Sequence, residues 1–321
     1  MRTFFVEYLL FLAKSGTMVF MAIIALLFIG ALKHRSQSDA SGGKLKIRCI
    51  NDHYQHYKDS MAEAVLKTRK DRKQWQREQK QLQKKHDRQT ERSRIYLLDF
   101  HGDVRASAVS QLREELSAVM TMVRPNDEVV LRLESGGGMV HAYGLAASQL
   151  LRLRERDIPL TVIVDRIAAS GGYMMAVVAN RIVAAPFAVV GSIGVVAQMP
   201  NLNRWLKERN IDYELHTAGP YKRTLTMLGE NTPEARDKFQ QELEETHELF
   251  KMFIARLRPQ INLEQIATGE HWYGEQAISK DLVDELSSSD DYLWRRSQEA
   301  DIYHVHFRQP IKSLRERFLN L

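Results

Sequence analysis

The hydrophobic pattern divides the chain into three stretches of different character. Thr17 to Leu32 (TMVFMAIIALLFIGAL) runs for sixteen residues without a charge, and Phe4–Ala13 before it is apolar apart from Glu7. A membrane-spanning helix takes roughly 17–25 apolar residues. The run reaches that length by borrowing from upstream, and the pattern predicts a transmembrane anchor over residues 1–35. A cleaved signal peptide, with an apolar core of about 7–15 residues, is the competing reading. The anchor is favoured because the apolar region starts at Phe4. In addition, Leu32 is followed by Lys33-His34-Arg35, with no small-x-small cleavage pattern.

Residues 36–92 read as a connector. Ser36–Gly43 (SQSDASGG) has the composition of a flexible linker. Ser60–Arg92 is rich in Lys, Gln, Glu and Arg and contains neither Pro nor Gly. It predicts a solvated helix supported by opposite charges such as Glu63 and Lys67. From Ser93 the pattern changes to short apolar strands, at Ile95–Phe100, Glu128–Leu133, Leu160–Asp165 and Arg181–Ala184. Amphipathic helical runs at Ala106–Val123 and Val140–Arg156 alternate with them, the latter with Leu145, Leu150, Leu151 and Leu153 as apolar positions. Such alternation predicts an α/β domain over 93–290 with a largely parallel, buried sheet and right-handed crossovers. A longer helix, Pro233–Leu257, opens on Thr232-Pro233-Glu234, an N-cap, a first-turn proline and a first-turn acid. Tyr173–Gln198 is strongly apolar, but Asn180, Arg181 and Pro186 break it into a buried helix, strand and turn. Residues 291–321 form a C-terminal extension with a strand candidate at Ile302–Phe307 and a basic helix at Ile311–Leu319.

Composition narrows the class. With 321 residues, 44% of them hydrophobic and 27% charged, the chain is globular, and the single Cys49 rules out a disulfide within it. The net charge of +6 would suggest a nucleic-acid or membrane-surface protein. It is localised, however: Lys58–Arg94 carries 13 Lys and Arg against 6 Asp and Glu, and the rest is close to neutral. No aromatic platform accompanies the charge, so nucleic acid is not expected as a partner. An exposed spacer is the plain reading, and contact with anionic lipid headgroups is the sharper one. Basic residues after Leu32 outnumber those before it, which by the positive-inside rule would leave the bulk of the chain in the cytoplasm.

Three glycine–serine clusters punctuate the α/β region: Ser135-Gly136-Gly137-Gly138, Ala169-Ser170-Gly171-Gly172 and Gly191-Ser192-Ile193-Gly194. None has the Gly-Lys-Ser/Thr ending of a phosphate loop, and the first fails the dinucleotide fingerprint because His141 takes its third position. Any one of them reads most simply as a tight turn needing positive φ. The middle cluster stands between a buried strand and an apolar helix, which sets Ser170 at a helix N-terminus where N–H groups can stabilise an oxyanion. A nucleophilic serine needs a base. His101 at the end of the first strand, His216 closing a strand at Tyr213–His216, and Lys222 in the turn after it are the candidates, and the pattern alone does not choose between them. No His, Cys or carboxylate cluster has metal-ligand spacing, and no cofactor is expected.

Taken together and in order, Ser135–Gly138, Ala168–Tyr173, Gly191–Val195 and Gly219–Lys222 resemble the signal peptide peptidase A family of membrane-bound serine proteases, most closely its SohB-type branch. A later stretch, Tyr273–Ala277 leading to Asp281–Glu285, is similar to the family's closing helix and strand. The resemblance covers roughly Tyr96–Ser287 together with the anchor and basic connector. It implies a Clp/crotonase-type fold of repeated ββα units, with Ser170 as nucleophile, Lys222 as general base and Ser192 as a hydroxyl supporting the lysine. The oxyanion hole would use the N–H of Gly171 and one from the pair Gly137 and Gly138. Gly136 stands where the family usually has proline, which leaves that donor open. Also implied are a homo-oligomer, peptide or membrane-protein substrates, and a catalytic domain facing the periplasm from the inner membrane, against the charge count above. The alternative is a catalytically silent, membrane-anchored scaffold of the same fold.

Overall fold

The computed structural model describes residues 43–88 and 92–308. Residues 47–306 make one compact unit; 43–46 and 307–308 belong to a second, of which only strand ends are described. The expected anchor over 1–35 and the basic helix at Ile311–Leu319 lie outside the described residues. Among the described residues no helix is long and apolar enough to cross a membrane.

The strands are β1 (Lys44–Cys49), β2 (Arg94–Gly102), β3 (Glu128–Ser135), β4 (Leu160–Val164), β5 (Ile167–Ala169), β6 (Arg181–Ala184), β7 (Val189–Gly191), β8 (His271–Tyr273), β9 (Glu285–Leu286) and β10 (Asp301–Arg308). The helices are α1 (Ile50–Val65), α2 (Arg69–Arg88), α3 (Val109–Met120), α4 (Val140–Arg154), α5 (Gly171–Ala176), α6 (Asn203–Lys207), α7 (Pro233–Leu257), α8 (Leu263–Ile266), α9 (Gly274–Ala277) and α10 (Ser289–Ser297). The four strands and three long helices expected after Ser93 are all present, within a few residues of their predicted ends.

The connector differs from the single helix expected over Ser60–Arg92. It is a pair of helices, α1 and α2, broken at 66–68. Leu66 turns extended, the Thr68 hydroxyl accepts the Asp71 N–H, and Arg72 Nε donates to the Leu66 carbonyl. Threonine thus caps the start of α2 while arginine satisfies the end of α1.

The main sheet runs β10–β2–β3–β4–β6–β9, and each of these pairings is parallel. Alternate residues serve two cores, as period-two strands require. Tyr96, Leu98 and Phe100 on β2, with Val129, Leu131 and Leu133 on β3, pack against α3, α4 and α7. Ile95, Leu97 and Val130 face the other way, onto Tyr292 and Leu293 of α10. The strand expected at Ile302–Phe307 is therefore a member of the sheet, with Ile302 opposite Ile95. On α4 the buried positions are Tyr143, Ala146, Ala147, Leu150 and Leu153, a stripe at helical spacing, whereas Leu145 is exposed.

A second set of short strands branches off this sheet. The last residue of β3 leaves β4 and pairs with β5, Ser135 opposite Ala168; β5 pairs with β7, and β7 with β8. The sequence β4–β5–α5 is one ββα unit, and β6–β7 repeats its two strands. The strand expected at Tyr213–His216 does not form. Residues 211–220 are exposed throughout and find no ladder partner.

Helix α7 begins as its sequence predicts, with the Thr232 hydroxyl accepting the Ala235 N–H and Pro233 at its first position. Its other end is held by charge. Arg258 is 3% exposed, donates to both carboxylate oxygens of Asp284 at 2.7 and 2.9 Å, and reaches the Asp281 carbonyl. Asp284 in turn accepts the Ile182 N–H of β6. One ion pair therefore ties α7 to the sheet; Arg258 is its buried member, whereas the Asp284 side chain is 33% exposed, so removing the arginine leaves a carboxylate that water can partly reach. The Arg258→Met variant is expected to lose about 2 kcal/mol of stability, read as a lowered urea midpoint with an unchanged slope. An unchanged midpoint would remove the pair from this account.

Candidate active site

The three glycine–serine clusters end three strands that lie side by side. Parallel register places Ser135 of β3 opposite Ala168 of β5, and Ala169 of β5 opposite Gly191 of β7. Ser170 and Ser192 are the next residues on β5 and β7. The Ser170 N–H donates to the Gly191 carbonyl at 2.8 Å, and the Ser192 N–H to the Glu270 carbonyl at 2.7 Å. Loops whose serines, Ser135, Ser170 and Ser192, are 35 and 22 residues apart in sequence thus meet at one edge.

Ser170 has φ 52°, ψ −118°, and Ser192 has φ 52°. A side chain at positive φ stores on the order of 1–3 kcal/mol and persists where its surroundings dictate it. Ser170 is the N-cap of α5, whose six residues are all buried. Its half-buried side chain makes no hydrogen bond among the described residues. Close backbone packing surrounds it. A Cβ on Gly137 would come within 2.6 Å of the Gly171 nitrogen and 2.8 Å of Ser170 Cβ. A Cβ on Gly138 would lie 2.1 Å from the Val104 carbonyl oxygen, and one on Gly172 2.4 Å from that of Ser135.

Ser170, Gly171 and Gly138 share the wall of a cavity of about 330 Å³. The remaining lining is mainly apolar: Val140 and Ala147 from α4, Met174 from α5, Val195, and Leu249, Phe250 and Phe253 from α7. Gly144 of α4 also faces it, and a Cβ there would meet no atom within 4 Å. The Gly171 and Gly138 N–H groups find no acceptor among the described residues, whereas the Gly137 N–H donates to Ser135 Oγ at 3.1 Å. Two free N–H groups beside a strained serine can receive negative charge developing on a carbonyl oxygen bound in the cavity.

None of the three candidate bases lines the cavity. His101 is 74% exposed at the end of β2, 3.7 Å from Glu134. His216 is exposed and pairs with Glu214 at 3.1 Å. Lys222 is exposed too; its backbone N–H bonds to Gly219, and its ammonium has neither hydrogen bond nor ion pair among the described residues. Its neighbour Tyr221 lies under Lys238 of α7. Lys238 is two helical turns, about 12 Å, before Thr246, the first residue of α7 to line the cavity. The structure of the single chain thus brings together Ser170, Ser192, Gly171, Gly137 and Gly138, while among the described residues Lys222 makes no hydrogen bond or ion pair with any of them.

Sequence reasoning placed Ser135 in the first cluster without a role and missed Tyr143; the two are buried behind the site and hydrogen-bonded to each other. A serine directly ahead of three glycines was the only local signal.

The model of the peptidase family S49 N-terminal region matches residues 3–150, and that of peptidase family S49 matches residues 152–303. "Probable protease SohB" of Buchnera aphidicola subsp. Schlechtendalia chinensis is 47% identical over 307 residues, covering 91% of this chain and 99% of that one. "Probable protease SohB" of Haemophilus influenzae is 57% identical over 224 residues, covering 70% of this chain and 63% of that one. Among solved structures, a ClpP1 point mutant from Listeria monocytogenes aligns with 63% of this chain and 94% of its own, with TM-score 0.39 and 15% identity.

The glycine geometry separates three adjacent positions. A Cβ on Gly136 meets only Ile167 Cδ1, at 3.8 Å, whereas those on Gly137 and Gly138 collide with backbone. Gly136→Ala is expected to keep peptide hydrolysis within about threefold of wild type, and Gly137→Ala and Gly138→Ala to lose it by about a hundredfold or more. Equal losses at all three positions would contradict the assignment.

Proposed function

Since the chain belongs to peptidase family S49, we propose that it is a membrane-anchored serine endopeptidase in which Ser170 is the nucleophile and Lys222 the general base. The observation that carries this reading is Ser170 itself, held at positive φ in the wall of an apolar cavity between two N–H groups without acceptors. Neutral Lys222 takes the Ser170 proton as Oγ attacks a peptide carbonyl. The tetrahedral oxyanion is met by the free N–H groups, and collapse expels the amine with the proton returned from Lys222. Water then hydrolyses the acyl-enzyme, the lysine serving again as base. Ser192, beside Ser170 at the strand ends, supplies a hydroxyl to hold the lysine.

A lysine works as a base where burial favours its neutral form. In the single chain Lys222 is exposed, and the segment that carries it displays Val196, Trp205, Ile211, Leu215 and Tyr221 to solvent. Exposed apolar residues in such number mark a surface that another protein surface covers. This supports a homo-oligomer in which the segment is packed and the lysine brought to the serine. The apolar run Thr17–Leu32 supports an anchor in the inner membrane, and the family resemblance, against the charge count after Leu32, supports a catalytic unit facing the periplasm. The basic helix α2 supports contact with anionic lipid headgroups. Membrane-associated peptides, signal-peptide remnants or damaged membrane proteins would then be the substrates. The exposure of Lys222 is also the one observation that favours the second reading, a silent scaffold.

Wild type, Ser170→Ala and Lys222→Ala, purified in detergent and assayed on labelled casein, separate the two. Cleavage by wild type alone, with fold and oligomer size unchanged in the variants, is the expected result. Equal cleavage by all three, or none by any, would favour the scaffold. The cavity gives a second expectation. Gly144→Leu projects a side chain into empty space lined by Val140 and Phe250. It should therefore reduce cleavage after large apolar residues at least tenfold while sparing cleavage after alanine; an unchanged preference would place the substrate side chain elsewhere.

A further inference from the structure

Ser135 and Tyr143 are buried, 2% and 0% exposed, and take no part in the reaction as derived above. Their protons can be placed by counting. The Tyr143 oxygen lies 2.7 Å from the Asp103 carbonyl, which can only accept, so the phenol donates there. Tyr143 then has no proton left for Ser135, and the short contact between their oxygens requires the Ser135 hydroxyl to donate to the phenol oxygen rather than to the Gly102 carbonyl, which lies 3.5 Å away. The serine lone pairs are thereby free to accept the Gly137 N–H at 3.1 Å. A single directed relay results, from Gly137 N–H through Ser135 and Tyr143 to the Asp103 carbonyl. Burial pushes the Tyr143 phenol up, which keeps it a donor.

The next residue but one is fastened to the same loop, since the Met139 N–H donates to the Val104 carbonyl at 2.8 Å. Gly138 lies between two amides that are both held, Gly137 by Ser135 Oγ and Met139 by the Val104 carbonyl. Its own N–H is left without an acceptor, and Gly138, not Gly137, lines the cavity. Tyr143 also touches the other side of the site. A Cβ on Gly171 would come within 2.4 Å of the Tyr143 ring.

We propose that Ser135 and Tyr143 are positioning residues that orient the glycine loop so that Gly138, rather than Gly137, supplies the second oxyanion-hole N–H beside Gly171. The proposal rests on the reading of Ser170 as nucleophile. Neither side chain touches substrate; both act through the backbone amide that does.

The test uses the full chain in detergent with a fluorogenic peptide. Tyr143→Phe keeps the ring against Gly171 and removes only the hydroxyl; Ser135→Ala removes the acceptor for Gly137. Each is expected to lower kcat about 10- to 100-fold with KM within twofold, and the double variant to fall no further than the worse single one. A peptide aldehyde, which forms the tetrahedral oxyanion on Ser170, should bind more weakly by the same factor as kcat falls. In a Ser170→Ala background the same two substitutions should leave the Kd of the substrate peptide unchanged. Unchanged kcat in Tyr143→Phe, or a Kd that moves together with kcat, overturns the proposal. If Ser135→Ala does not fold, Tyr143→Phe alone decides. Activity retained by Ser170→Ala would instead sink the nucleophile reading, an outcome distinct from every result for the pair.

Discussion

Everything at the site depends on parallel register between short strands. The pairing of Ser135 with Ala168 and of Ala169 with Gly191 carries three loops to one edge of the sheet, and the bond from the Ser170 N–H to the Gly191 carbonyl fixes their relative height. A slip of one residue would turn every side chain on the shifted strand to the opposite face. The Ser170 N–H would then lose the Gly191 carbonyl, and the three loops would no longer meet at one height. The register is in turn enforced by burial, because β3, β4 and β6 run between two apolar cores that leave no alternative pairing without exposing Val, Ile or Leu.

Positive φ at Ser170 and Ser192 is a consequence of the same arrangement. The chain must leave a strand and enter a buried helix within one residue at Ser170, and glycines at 137, 138 and 172 let the neighbouring backbone approach to distances that a Cβ would forbid. The strain is therefore borne by the residue whose hydroxyl must project, while its neighbours give up side chains altogether. The cavity beside it is shaped by two helices held from behind, α4 through its buried stripe and α7 through Arg258 and Asp284.

Long periodic elements were legible in the sequence because their signal is local. The strands at Ile95, Glu128, Leu160 and Arg181, and the helix capped at Thr232, follow from runs and caps that need no knowledge of the rest of the chain. Three-residue strands such as β5, β7 and β8 are defined by their partners and left no periodic trace. Tyr213–His216 shows the converse, an apolar alternation that finds no partner and stays irregular. The break at 66–68 was hidden because a single threonine cap inside a polar run looks like any other polar residue. At the site, the serine and glycines were legible as clusters, whereas the relay through Tyr143 joins residues 103, 135, 137 and 143, whose relation exists only in three dimensions. Lys222 was chosen by resemblance and not by local pattern, and its exposure in the single chain is what links the proposed chemistry to assembly.

The central claim is that Ser170 is the activated nucleophile of the cavity. Treating the full chain with a biotinylated fluorophosphonate, digesting it and locating the adduct by mass spectrometry tests this most directly. The account predicts a single modified peptide carrying the label on Ser170, with Ser135 and Ser192 unlabelled. A label on either of those two serines, or none on Ser170 in protein that hydrolyses peptides, would contradict it.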